Sequence, residues 1–259
     1  MMTTLKAAIT VLALSAAAFS ASDPAAPLKD KKFESDIVST AQGDVEMTFI
    51  GHASLIFKFK NTVIHIDPWS AQADYSTLPK ADFIFITHQH QDHLDTSAVK
   101  HILKESTVCV MNGTSSKMWK PKKPPIVLSN GQSHTAAGVK VDAVPAYNIV
   151  HIRPDTKEHY HVKGDGNGYV FTFGDKKIYV GGDTENVPEM KTLGAKGDIE
   201  VAFLPMNVPY TMTPEMTADA AKMVKPKILY PYHFGDTDTN KLKELLKNEK
   251  SIDVRVRKF

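Results

Sequence analysis

The apolar run Phe83-Ile84-Phe85-Ile86 stops abruptly at Thr87 and is followed by His88, His90, Asp92 and His93, four potential metal ligands within six residues. A chain with this feature must place the end of an apolar strand where several polar side chains can converge. Neutral imidazole and carboxylate are the ligands that zinc accepts in hydrolytic sites. Ligands so close in sequence do not all turn toward one ion. His88 and His90 can face one metal while Asp92 and His93 face another, which points to a dinuclear site.

The rest of the chain fits an ordinary globular protein. Its 259 residues are 42% apolar and 23% charged, enough to bury a substantial core and too apolar for general disorder. Residues 1–20 differ. They carry one charged side chain, Lys6, then the apolar run Ala7 to Leu14 and small residues up to Ala18-Phe19-Ser20. This is the layout of a secretory signal peptide, with cleavage expected after Ser20, or next to it at Ala21, and no transmembrane span in the mature chain. An exported protein, periplasmic or secreted, is the expectation. The whole chain has 31 basic and 29 acidic residues; residues 1–20 hold one lysine and no acid, so a net charge of +1 remains. No nucleic-acid partner is expected from such a balance. The single cysteine, Cys109, excludes an intramolecular disulfide framework and reads as a small buried apolar residue.

Residues 21–43 show little periodicity and read as a linker or arm, with one main domain expected over 44–259. From Val45 the pattern becomes strand-like over 45–50, 54–60 and 62–66, and again over 83–86, 107–111, 139–144, 169–173, 177–180, 201–204 and 228–230. Helices are expected from Thr96 to Leu103, after a Thr213 cap with Pro214 at the first position, and after Asp238. Strands with interspersed helices and no second linker favour one layered α/β domain.

Four further positions set a ligand-type side chain at the end of an apolar strand: His52 after Phe49-Ile50-Gly51, Asp67 after Ile64-His65-Ile66, Asp183 after Val180-Gly181-Gly182, and His233 after Tyr230-Pro231-Tyr232. Strand ends that open onto loops combine a fixed scaffold with exposure, so chemistry is commonly placed there.

Thr87-His88-Gln89-His90-Gln91-Asp92-His93, Gly182-Asp183-Thr184 and Tyr232-His233-Phe234-Gly235 together resemble the metallo-β-lactamase fold superfamily. Gly51-His52-Ala53-Ser54, Val144-Pro145-Ala146-Tyr147-Asn148 and Tyr210-Thr211-Met212-Thr213-Pro214-Glu215 resemble the branch with L-ascorbate-6-phosphate lactonase-like and N-acyl-phosphatidylethanolamine phospholipase D-like hydrolases. The resemblance implies a four-layer αββα sandwich of two mixed sheets with external helices. It implies two divalent metal ions, zinc first, with manganese or iron as alternatives. His88 and His90 would bind one with a further histidine; Asp92, His93 and His233 would bind the other; Asp183 would bridge them. Between the motif and Asp183 lie His134, His151, His159 and His161. The glycine-rich context after His161 matches related sequences best, with His159 and His151 as alternatives. Some relatives carry a histidine where this chain has Asn148, which leaves the third ligand of the first metal open. His52 would line the site or contact substrate, and Asp67 would hold a ligand histidine through its free ring nitrogen.

These roles imply a metal-dependent hydrolase in which a metal-bound hydroxide attacks an ester, lactone, amide or phosphodiester, with Asp92 or Asp183 moving the proton. The substrate would be a small molecule or lipid-like. Two other classes compete: a non-catalytic metal- or ligand-binding protein of this fold, and a di-iron oxidoreductase. The latter resembles a pattern with Glu at the second ligand position, where this chain has His90.

Overall fold

The computed structural model describes residues 33–195 and 197–258. Period-two alternation builds two seven-stranded sheets. The first runs in chain order through β1 (Glu34–Thr40), β2 (Gly43–Gly51), β3 (Ser54–Phe59), β4 (Thr62–Ile66), β5 (Phe83–Phe85), β6 (Val108–Met111) and β7 (Ile126–Val127). Strands β1 to β4 pair antiparallel, and β5 to β7 join in parallel. The second sheet repeats the plan with β8 (Ser133–Ala136), β9 (Val139–Ala146), β10 (Gly166–Phe173), β11 (Lys176–Val180), β12 (Ile199–Pro205), β13 (Ile228–Tyr232) and β14 (Asp253–Val254). Here β8 to β11 are antiparallel and β12 to β14 parallel.

Alternate side chains of each strand enter different layers. Val201 and Phe203 of β12 join the core between the sheets, whereas Ala202 and Leu204 join the core on the outer face. The central layer is aromatic, with Phe57 of β3 set edge-on to Phe171 of β10 at 5.6 Å between ring centroids. Each such buried ring contributes roughly 2–3 kcal/mol by leaving water. Outside the first sheet, α1 (Thr96–Ile102) packs Ala98, Val99 and Ile102 over Ile84 and Cys109. Cys109 is thus a buried apolar filler. After α2 (Gly113–Met118), three helices cover the second sheet: α3 (Met190–Gly194), α4 (Pro214–Val224) and α5 (Thr239–Leu245), through Met190, Ala221 and Leu242. The fold is therefore an αββα sandwich.

Residues 34–40, expected to belong to an arm, instead form β1, paired along its length from Glu34↔Phe49 to Thr40↔Gly43. Backbone pairing holds this edge strand, and Val38 is its only fully buried residue, so no hydrophobic period marks it. Asp36 ties it to the end of the chain by accepting from Tyr230 Oη and from Arg257 Nη2. The expected signal peptide and residues 21–32 of the expected arm lie outside the described residues. Among the described residues no helix is long and apolar enough to cross a membrane.

Candidate metal centre

The carboxyl ends of β4, β5, β11 and β13 meet at one rim of the sandwich, as chemistry-bearing loops of α/β sheets do. Hydrogen bonds to Asp67, Thr87 and Asn148 define donor and acceptor roles at the base of this rim. Buried Asp67 follows β4 with a left-handed backbone, φ 44°. Its Oδ1 accepts from Thr87 N at 2.8 Å, and its Oδ2 accepts from Thr87 Oγ1 at 2.6 Å and from His93 Nδ1 at 2.8 Å. A carboxylate only accepts, so His93 carries its proton on Nδ1. Thr87 gives its hydroxyl proton to Asp67, so toward His88 Nδ1, at 3.1 Å, it can only accept. His161 Nδ1 lies 2.6 Å from Asn148 Oδ1, an amide oxygen that likewise only accepts. By these contacts His88, His93 and His161 each hold a proton on Nδ1 and turn Nε2 inward.

The inward atoms converge in two sets. The ligand atoms of His88, His90 and His161 lie within 4.8 Å of one another, as do those of His52, Asp92, His93 and His233. Asp183 stands between the sets. Its Oδ2 is 3.2 Å from His161 Nε2 and 3.5 Å from His233 Nε2, and its Oδ1 is 3.4 Å from His93 Nε2. The structure therefore brings together His88, His90, Asp92, His93, His161, Asp183 and His233. His52 joins them, its Nε2 2.9 Å from Asp92 Oδ2 and its carbonyl accepting from His233 N at 2.8 Å. His52 and His233 also share left-handed backbones, φ 55° and 48°. Such strain in non-glycine residues concentrates at functional sites.

Of the other histidine candidates, His151 Nδ1 pairs with Glu185 Oε1 at 2.7 Å, and His159 Nδ1 faces the His151 carbonyl at 3.3 Å. His134 sits on β8, away from the cluster. Asn148, the departure noted in the sequence, is the residue that orients His161. Its amide group in turn donates to Glu185 Oε1 at 2.9 Å and to the Tyr210 carbonyl at 3.0 Å. Sequence reasoning missed Glu185. This buried carboxylate also accepts from the backbone N–H groups of Ile149, Val150 and His151, fixing the loop that follows β9. Its only sequence signal is its place two residues after Asp183.

Charge follows the same plan. Burial, then His93, push His88 well below the usual imidazole range, and burial with His161 brings His90 down to about 4. Burial alone would lower His93 too, but Asp183, Asp67 and Asp92 outweigh it and raise it to about 10. Burial would raise Asp183, yet His233 and His93 hold it well below the carboxylate range. A cluster that keeps Asp183 ionised and holds His88 and His90 below the usual imidazole range is a receptor for positive charge. Its buried atoms His93 Nε2 and Asp183 Oδ1 make no hydrogen bond among the described residues. Each would cost about 1–3 kcal/mol if left unpaired. A divalent cation bound by imidazole and carboxylate answers both observations, so the donor set fits a metal. One contact runs the other way: Arg153 Nη2 donates toward His90 Nε2 at 3.2 Å. A cavity of about 360 Å³ opens over the cluster, with His52, Asp92 and His233 on one side and Arg153, Tyr160 and Tyr210 among its other walls.

Residues 46–233 match the family model of the β-lactamase superfamily domain. The chain belongs to the metallo-β-lactamase superfamily. A UPF0173 metal-dependent hydrolase of Koribacter versatilis is 31% identical over 222 residues, covering 81% of this chain and 94% of its own. A crystal structure from Parabacteroides distasonis, assigned as a metal-dependent hydrolase, is 45% identical with a TM-score of 0.81, covering 88% of this chain and 100% of that one. The metallo hydrolase Igni18 of Ignicoccus hospitalis is 25% identical with a TM-score of 0.67, covering 83% and 95%. This superfamily member is accordingly a metal-dependent hydrolase with a histidine and aspartate cluster able to bind metal.

Proposed function

We propose that the chain hydrolyses an ester, lactone, amide or phosphodiester at a dinuclear centre. The observation that carries this is Asp183, placed between two sets of inward-facing ligand atoms. His88, His90 and His161 would hold one cation, Asp92, His93 and His233 the second, and Asp183 both. Zinc suits this imidazole-rich set, and manganese or iron shares its ligands. Two such cations would bring a bound water's pKa down to about 7 and polarise the scissile carbonyl or phosphoryl oxygen.

The chain's own groups supply the rest. Asp183 is buried, whereas the Asp92 side chain is 32% exposed and borders the cavity. Asp92 Oδ2 is thus the better placed of the two to receive a proton from the reacting water, and His52 Nε2, 2.9 Å away, holds it in place. A cysteine nucleophile is disfavoured: Cys109 lies in the outer core beside α1, and burial pushes its thiol up to about 11. Residues 1–20 support export, so the substrate would be a small or lipid-like molecule of the envelope or medium. N-terminal sequencing of the protein from the periplasm or medium tests that part.

The function is tested by chelation. Turnover on a panel of chromogenic esters, lactones and phosphodiesters should vanish on metal removal and return with zinc. His90→Ala and Asp183→Ala should abolish it while the circular dichroism spectrum stays unchanged. Full turnover in both variants contradicts the proposal. Metal without turnover favours the binding protein, and redox-active iron the oxidoreductase.

A further inference from the structure

Among the described residues lining the cavity, Arg153 is the only arginine or lysine. The chain has three arginines, and the other two are paired: Arg255 with Asp253 and Arg257 with Asp36. Arg153 has no ion pair among the described residues. Its side-chain hydrogen bonds are those from Nη2 to His90 Nε2 at 3.2 Å and to the Tyr160 carbonyl at 3.4 Å. A guanidinium carries five N–H donors in a planar fork that matches an oxyanion, so most of this fork is unpaired.

The fork is also held in place. Its carbon lies 5.0 Å from the centroid of the Tyr160 ring, which packs edge-on against Tyr210 at 5.2 Å. The Arg153 backbone closes a small loop, accepting from Lys157 N at 3.0 Å and donating to the Glu158 carbonyl at 2.7 Å, beside the Ile152↔His159 bridge. Glu185 clamps the base of that loop through Ile149, Val150 and His151. Such bracing presents one positive group to the cavity at low entropic cost.

The contact with His90 is exchangeable. A guanidinium only donates, so Nε2 must offer it a lone pair and the ring proton must sit on Nδ1. If Nδ1 is instead turned to a cation, the proton moves to Nε2 and Arg153 can no longer donate there. The same event that prepares His90 as a ligand therefore frees the guanidinium toward the cavity.

We infer that Arg153 anchors an oxyanion of the substrate, a carboxylate or phosphate, close to the bond that is cleaved. This rests on the hydrolase proposal for the reaction, while the anchor itself is a binding property. One imidazole ring, that of His90, separates the fork from the converging ligand atoms, so the anionic group and the scissile group belong to one compact part of the substrate. The apolar side chains exposed on the same loop, Ile149, Val150 and Ile152, leave room for a less polar remainder outside.

The test uses the purified, metal-containing protein with Arg153→Gln and Arg153→Lys. Glutarate and inorganic phosphate are titrated separately by calorimetry. The dissociation constant of at least one should rise roughly tenfold or more in R153Q, the size of a charge-assisted hydrogen bond, and less in R153K. Whichever anion loses affinity identifies the group. Metal content should stay the same in all three proteins. If glutarate is the anion that loses affinity, the kcat/KM for 4-nitrophenyl hemiglutarate should fall in R153Q by a similar factor, with 4-nitrophenyl butyrate little changed. Equal affinities in wild type and R153Q for both anions, or no binding of either by the wild type, overturns the inference. Failure of the hydrolase proposal looks different: no ester is cleaved by the wild type, while the difference in anion affinity persists.

Discussion

Asn148 Oδ1 accepts from both the backbone N–H and the ring Nδ1 of His161, at 3.0 and 2.6 Å. One amide oxygen thus sets the position, orientation and tautomer of a histidine 13 residues away. Partners of this kind that orient metal-binding histidines change metal affinity roughly 10–100-fold when removed. Asn148→Ala should weaken binding of one of two zinc equivalents by about that factor, measured by competition with a chromophoric chelator. Asn148→Asp should be worse for stability, because it loses the amide donors and sets a second carboxylate against Glu185. Unchanged zinc affinity in Asn148→Ala would show that His161 needs no such partner.

Gly182, directly before Asp183, has φ +65°, and a Cβ there would lie 2.9 Å from the Asn167 carbonyl and 3.1 Å from Thr87 Cβ. Both neighbours belong to the frame of the site, so neither can withdraw freely. Gly182→Ala should cost about 2–3 kcal/mol in urea unfolding, from the left-handed backbone and the overlap together, and should lower metal content. A stability equal to wild type would mean that the frame around Thr87 is softer than its hydrogen bonds imply.

Much of this was legible because the informative signals are local. Apolar runs ending in ligand residues located β5, β11 and β13 with His88 to His93, Asp183 and His233, and the Thr213-Pro214 and Asp238 caps located α4 and α5. The illegible parts depend on distant partners. β1 buries little, so only its pairing with β2 reveals it. The two sheets share one topology, yet no sequence repeat shows it, since the plan constrains the burial pattern rather than residue identity. Glu185 looks like any loop glutamate until its five hydrogen-bond contacts with Asn148, Ile149, Val150 and His151 are traced. Arg153 reads as one loop cation until the cavity assembles around it.

His65 supplies a pH dependence away from the cluster. It is buried on β4 with Nε2 2.9 Å from the Pro79 carbonyl; burial, only partly opposed by that carbonyl, pushes it down from 6.5 to about 4. Its folded pKa lies below the unfolded value, so on acidification the unfolded chain takes the proton first. The stability it contributes is full above 6.5, falls between 6.5 and about 4, and is lost below that. At pH 5 the loss is about 2 kcal/mol. Urea unfolding at pH 7.5 and pH 5 should show wild type losing more stability than His65→Gln by roughly that amount. Equal losses in the two proteins would mean that His65 is protonated without strain.

The most direct test of the centre is anomalous scattering, recorded at the zinc, manganese and iron edges from a crystal of the purified protein. Two peaks are predicted. One should lie within about 2.0–2.2 Å of ligand atoms of His88, His90 and His161, the other within that distance of Asp92, His93 and His233, with Asp183 touching both. A protein that hydrolyses its substrate with no peak at this cluster, or with its metal elsewhere, would contradict the account.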